Sequence, residues 1–251
     1  MTQALLRCHT GSMDTADIVL VYQDHHLLVV NKPAGVVIHP TYKHSDDTLW
    51  NALLAYLAQQ GSDDWQPPAL PDDPAWQQAP VHVRQMLRRL REERLWREEG
   101  LLPRPCLLHR LDKDTSGIVV LARTERARRH IVRQFEAHTV VKRYLAVVRA
   151  GAPEWTHPQA PLVVTQRYGN GSEIQLPVCN LIQLPAGTEL VLDGPLGRDP
   201  ADRRRCVVLP GGQQAVTVVR ILATVNGYAL LDVAPITGRT HQIRAHLAAL
   251  G

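Results

Sequence analysis

The stretch His109-Arg110-Leu111-Asp112-Lys113-Asp114-Thr115-Ser116-Gly117 sets a carboxylate among cations just before the apolar run Ile118 to Ala122. That run has the aliphatic, β-branched composition of a buried strand. Asp112 is then expected at a strand edge between Arg110 and Lys113, where opposite charges a few ångströms away favour the ionised carboxylate. This makes it a candidate nucleophile or base. His109, Asp112 and Asp114 can also be read as H-x-x-D-x-D, the ligand pattern of a metal-dependent hydrolase. Arg110 and Lys113 interleave with those carboxylates and would repel a divalent cation, so no metal is expected.

The elements needed to hold this segment can be traced along the chain. Ile18–Tyr22 and Leu27–Asn31 are short aliphatic runs joined across Gln23 to His26, a hairpin pattern, and Lys32-Pro33-Ala34-Gly35 then punctuates the chain. Asp47 to Gln59 is predicted helical, with Leu49, Leu53 and Tyr56 at helical spacing. Further strands are predicted at Ile118–Ala122, Arg143–Val148, Val216–Leu222 and Tyr228–Val233, the last two joined by the two-residue hairpin signal Asn226-Gly227. Thr240 to Leu250 reads as a helix with Thr240 as N-cap, Ile243, Leu247 and Leu250 on its buried face, and Gly251 in the position of a stop. Hairpin-connected strands outnumber helices, which favours an α+β domain with a largely antiparallel sheet.

Thr124 to His138 is predicted to be a helix of a different kind. At about 100° per residue, Arg126, Arg129 and Arg133 fall within one sector of ~60°, and Ala127, Ile131 and Phe135 take the opposite face. An ordinary solvated face and an RNA-binding face both fit this pattern.

Composition bounds the function class. The 251 residues allow one or two domains, and the net charge of +4 is mild support for an anionic partner. No uninterrupted apolar stretch of membrane-spanning length occurs, and the first residues lack a basic-then-apolar secretory pattern, so a soluble cytoplasmic protein without a membrane partner is expected. The 4 cysteines, Cys8, Cys106, Cys179 and Cys206, are far apart, which points to reduced, mostly buried thiols.

The motifs carry more than the composition. HRLDKDTSGIVVLA closely resembles the signature of the RluA-type pseudouridine synthases, which isomerise uridine in RNA. Asp24 to Pro40 resembles that family's opening block with its N-K-P-x-G turn, Lys142-Arg143-Tyr144-Leu145-Ala146 its K-x-Y-x-A block, and Thr237 to His246 its T-G-R-T-H-Q-I-R-x-H block. The four blocks follow the family's order.

That resemblance implies one catalytic domain over residues 18–251, α+β in class, with a mixed, largely antiparallel bent sheet and a central cleft that holds the aspartate. It implies that Asp112 is the catalytic aspartate, that Arg239 pairs with it, and that Tyr144 stacks on the target base. His109, Arg110, Lys142 and Arg244 are assigned to RNA contact together with Arg126, Arg129 and Arg133. Arg110 is placed to fill the space left by a flipped uridine or to clamp a phosphate. The reaction breaks the N-glycosidic bond, turns the uracil, and joins its C5 to the same sugar carbon, so it calls for neither metal nor organic cofactor. The implied partner is ribosomal or transfer RNA, bound by a monomer. A non-catalytic RNA chaperone built on a retired enzyme is the rival, and the intact Asp112, Tyr144 and Arg239 set speaks against it.

Three departures from the family pattern stand out. Residues 61–102 form an apparent insertion, with a Pro- and Trp-bearing loop and a helix that sets Arg84, Arg88 and Arg91 beside an apolar stripe. Residues 1–17 are too few for the S4 RNA-binding domain that many members carry, so RNA recognition is expected to fall to the catalytic body. Members also continue past the H-Q-I-R helix with further segments that this sequence does not contain.

Overall fold

Leu28, Val30 and Lys32 alternate with more exposed neighbours along one strand of the first sheet and face its core. In the computed structural model, residues 18–59, 101–149, 161–177 and 179–250 are described, so residues 1–17, almost all of the expected insertion, Cys8 and Gly251 lie outside them. The described chain divides into two units, with the boundary between Glu136 and Ala137.

In the first unit, β1 (Val19–Gln23) and β2 (Leu27–Lys32) form the expected hairpin. Asp24 closes its turn, accepting the backbone N–H of His26 at 2.7 Å and of Leu27 at 2.6 Å. β3 (Leu101–Leu107) and β4 (Gly117–Thr124) complete a sheet in the order β1-β2-β4-β3. The prolines of β3 are tolerated because it is an edge strand whose pairing with β4 shifts register between Leu101 and Cys106. α1 (Leu49–Gln59) lays Leu49, Ala52 and Leu53 on a core of Leu28, Val30, Val119 and Leu121. α2 (Glu125–Glu136) follows β4 directly. Both helices have threonine N-caps: Thr48 Oγ1 accepts Asn51 N–H at 3.3 Å, and Thr124 Oγ1 accepts Ala127 N–H at 3.2 Å.

The second unit is built on a longer sheet. β5 (Tyr144–Arg149), β6 (Val163–Arg167), β7 (Glu173–Gln175), β8 (Glu189–Asp193), β11 (Val216–Val225) and β12 (Tyr228–Pro235) assemble in the order β5-β12-β11-β8-β6-β7. Between β8 and β11, β9 (Leu196–Arg198) and β10 (Cys206–Val208) make a separate hairpin. The β11–β12 turn is the one expected: Asn226 at φ 49° and Gly227 at φ 78° both occupy the left-handed region, as a primed two-residue turn requires. Leu190, Leu192, Val219, Ile221, Leu231 and Val233 make the core.

Helix α3 (Gln242–Leu250) corrects the sequence reading at its start. It begins after His241, whose φ of 53° lies in the left-handed region and whose carbonyl accepts the N–H of Ala245 at 2.9 Å. His241, not Thr240, therefore holds the N-cap position. The buried face is Gln242, Ala245, His246, Ala249 and Leu250, while Ile243 and Leu247 are partly buried against the core. Polar partners inside the unit, described below, turn the helix this way.

The α+β class with antiparallel strands is what the structure contains, and every strand pairing among the described residues is antiparallel. β6 to β10 are not among the strands expected from the sequence, and β7, β9 and β10 are only three residues long. Cys106, Cys179 and Cys206 are free thiols, of which Cys179 is fully buried and pushed up to about 11 by that burial. No helix among the described residues is long and apolar enough to cross a membrane.

Candidate active site

The Asp112 segment is a turn leading into β4, and its shape is fixed from below. Thr115 N–H donates to the Asp112 carbonyl at 3.1 Å, and the next carbonyl, that of Lys113, accepts from Gly35 N–H at 2.9 Å. Lys32 provides the anchor. Its ammonium donates to the carbonyls of Lys113 at 2.8 Å, Pro33 at 2.8 Å and Val36 at 2.9 Å, and the residue is 0% exposed. All three of its donors are used, so the N-K-P-A-G turn and the Asp112 turn are tied to one charge. Burial pulls Lys32 down to about 8, against the pull of Asp114 and Asp112 toward the charged form.

Around that turn, Leu111 packs against the first core while Asp112 is partly buried. Arg110 and Lys113 are exposed on either side. His109 turns inward: its Nε2 accepts Val120 N–H at 3.1 Å and its ring lies 5.3 Å from that of Phe135. The imidazole therefore pins the segment to β4 and α2.

On α2 the expected faces are present. Arg126, Arg129 and Arg133 are exposed, and Ala127, Ile131 and Phe135 are partly buried. Glu125 engages two arginines, accepting from Arg128 Nε at 2.6 Å and from Arg129 Nε at 2.7 Å. These bonds hold its carboxyl at about 2, well under the ordinary 4.5.

The second unit holds the other expected residues. Tyr144 opens β5 opposite Val233 and is partly buried against the core. Lys142 donates to the carbonyls of Thr237 at 2.9 Å and Ile236 at 3.4 Å, and burial lowers its pKa. Its ammonium thus supports the segment before Arg239, a use the K-x-Y pattern did not reveal. Arg239 is exposed, with Nε donating to the Gln214 carbonyl at 3.1 Å and its backbone N–H donating to Gln242 Oε1 at 2.9 Å. Arg244 is exposed on α3.

Lys32 and Gln242 are supporting residues that motif reading missed, and Lys142, expected at RNA, holds backbone carbonyls instead. Lys32 did leave a signal: period-two alternation sets it on the same face of β2 as Leu28 and Val30. So did Gln242, which lies on one helical stripe with Ala245, His246 and Ala249.

The sequence profile of the family described as RNA pseudouridylate synthase matches residues 26–249, reaching from the turn before β2 to the last turn of α3. The chain belongs to the RNA pseudouridylate synthase family. An uncharacterized RNA pseudouridine synthase of Chloroflexus aurantiacus is 35% identical over 88% of this chain and 48% of its own length. A ribosomal large subunit pseudouridine synthase D of Zymomonas mobilis is 30% identical over 92% of this chain and 52% of its own. The chain spans about half the length of the curated relatives it matches. Among solved structures, human RNA pseudouridylate synthase domain containing 1 superposes with a TM-score of 0.54 at 20% identity, over 96% of this chain and 69% of that one. That likeness is one of fold, and it extends the pseudouridylate synthase architecture to this chain.

Proposed function

We propose that this protein isomerises specific uridines to pseudouridine in ribosomal or transfer RNA, with Asp112 as the essential carboxylate, Arg239 as its pairing cation and Tyr144 against the target base. The observation that carries the reading is the family match over residues 26–249; Asp112 lies within it, in the block that resembles the family's signature, on a turn anchored by a buried lysine. A fixed turn matters because an anionic group beside the sugar must be held in place while the uracil detaches, rotates and rejoins. The exposed Arg110 next to Asp112 suits a backbone phosphate or the space left by a flipped nucleotide. The reaction exchanges one bond to the sugar carbon for another with no net gain or loss, so its chemistry needs no cofactor.

Exposed Arg126 and Arg133 supply further cations, and the catalytic domain in this reading spans residues 18–251. The protein acts as a monomer in the cytoplasm, a reducing compartment that suits its free thiols. Ribosomal large-subunit RNA is the first substrate to test, since three of the relatives carry that specificity in their names.

The deciding experiment compares the wild type with Asp112→Asn on large-subunit ribosomal RNA and on total transfer RNA, reading pseudouridine by chemical mapping. The Asn side chain keeps size and hydrogen bonding but loses the charge. Pseudouridine should vanish while RNA affinity stays within about tenfold, or 1.4 kcal/mol. Turnover by the Asn variant would remove Asp112 from catalysis, and RNA binding by a wild type that forms no pseudouridine would favour the chaperone reading.

A further inference from the structure

Behind Arg239, polar side chains run through the interior of the second unit: Gln242 is 4% exposed, and Thr217 and His246 are 0% exposed. Their bonds have a direction that two backbone groups dictate. Gln242 Oε1 faces the Arg239 N–H, a donor, at 2.9 Å, and Gln242 Nε2 faces the Val216 carbonyl, an acceptor, at 2.9 Å. The amide can therefore sit only one way round. Its Nε2 also donates to Thr217 Oγ1 at 3.0 Å, which leaves the threonine hydroxyl proton for His246 Nδ1 at 2.8 Å. At the far end, His246 Nε2 lies 3.0 Å from the Gly194 carbonyl, which can only accept. Nε2 therefore carries a proton, and the neutral ring is the form in which Nδ1 accepts from Thr217. Burial favours that neutral form, while the Gly194 carbonyl and Asp193 pull toward the charged one. At the near end, Thr237 Oγ1 accepts from Val216 N–H at 3.2 Å and donates to Gln242 Oε1 at 2.7 Å. The Thr237–Arg239 segment thus shares one amide oxygen, and that amide is joined through Thr217 and His246 to a chain of bonds ending between β8 and β9.

We infer that Gln242, Thr217 and His246 are positioning residues for Arg239, acting as a one-way hydrogen-bond relay that holds the arginine's backbone. This rests on the proposed role of Arg239 in pseudouridine formation. Every link is buried and satisfied, so removing one strands its neighbours in a low dielectric and loosens the segment that carries the guanidinium. Neither Gln242 nor His246 need touch RNA for this.

The test uses Thr217→Val, which keeps shape but deletes the hydroxyl, and Thr217→Ser, which restores it. Arg239 amide exchange is followed by NMR, with kcat and KM for pseudouridine formation. In the Val variant the Arg239 amide should exchange about tenfold faster or more, and kcat should fall by about tenfold or more with KM within about threefold. The Ser variant should recover both. A Val variant in which either exchange or kcat changes by less than about threefold overturns the proposal. Nitrogen NMR of the wild-type His246 ring gives a check independent of any variant's folding. A neutral ring protonated on Nε2 is expected, and a proton on Nδ1 overturns the relay because Thr217 could not then donate. If the wild type forms no pseudouridine, the functional reading fails by itself, and the exchange and tautomer measurements still decide whether the relay holds Arg239.

Discussion

Two lysines show how a residue's chemistry depends on what it is buried against. Lys32 gives two hydrogen bonds to carbonyls around its own N-K-P-A-G turn and one to Lys113 in the Asp112 turn, and Lys142 gives two to carbonyls just before Arg239. Each spends its charge on shaping backbone. Lys32→Met keeps most of the apolar stem and strands three acceptors, so stability should fall by roughly 2–4 kcal/mol in urea titrations. The pH dependence has a definite sign. With a folded value of about 8 against an ordinary 10.5, the unfolded chain binds more protons between those values. The cost of burying the charge is thus present in full below the folded value and is relieved as pH rises toward the unfolded one, so wild-type stability gains a rising contribution there. The Met variant should lack that slope; wild-type stability with an unchanged slope would remove Lys32 from support of the turn.

At the scale of an element, α2 combines a cap, an ion-pair cluster and a basic face. Glu125, about 2 in the folded protein against 4.5 ordinarily, contributes stability that is complete above 4.5 and is lost as pH falls toward 2. Glu125→Gln should flatten that acid limb when unfolding is followed by helix circular dichroism, and an equally steep limb would mean Arg128 and Arg129 do not hold the carboxylate in solution. The basic face should behave unevenly toward RNA, because Arg129 already engages Glu125 whereas Arg126 and Arg133 are exposed. Changing all three to Gln should lower the slope of log affinity against log salt by about 1.4, two contacts at about 0.7 each on single-stranded RNA. An unchanged slope with the helix intact would make this an ordinary solvated face.

For the whole molecule, the expected catalytic residues are shared between units: Asp112 in the first, Tyr144 and Arg239 in the second. The family profile runs through both. Because the isomerisation needs no Lewis acid, activity on a short stem-loop that folds without magnesium should survive EDTA. Activity lost to EDTA and restored only by a transition metal would revive the H-x-x-D-x-D reading of His109, Asp112 and Asp114.

What the sequence determined by itself was local in origin. The β1–β2 hairpin, the Asn226-Gly227 turn and the two faces of α2 all follow from neighbours a few residues apart, where spacing and turn chemistry act directly. The motifs also named the family and, through it, the residues to test. Tertiary structure decided which partners the buried polar side chains meet and what they hold. Lys32 meets Lys113 across 81 positions, Lys142 meets Thr237 across 95, and His246 meets Gly194 across 52. A lysine at a strand end or a glutamine on a helix carries no local mark of such a partner. Only when the sheet closes does water leave these groups, and their unmet hydrogen bonds then dictate where α3 starts, which way Gln242 points and how the segment carrying Arg239 is held.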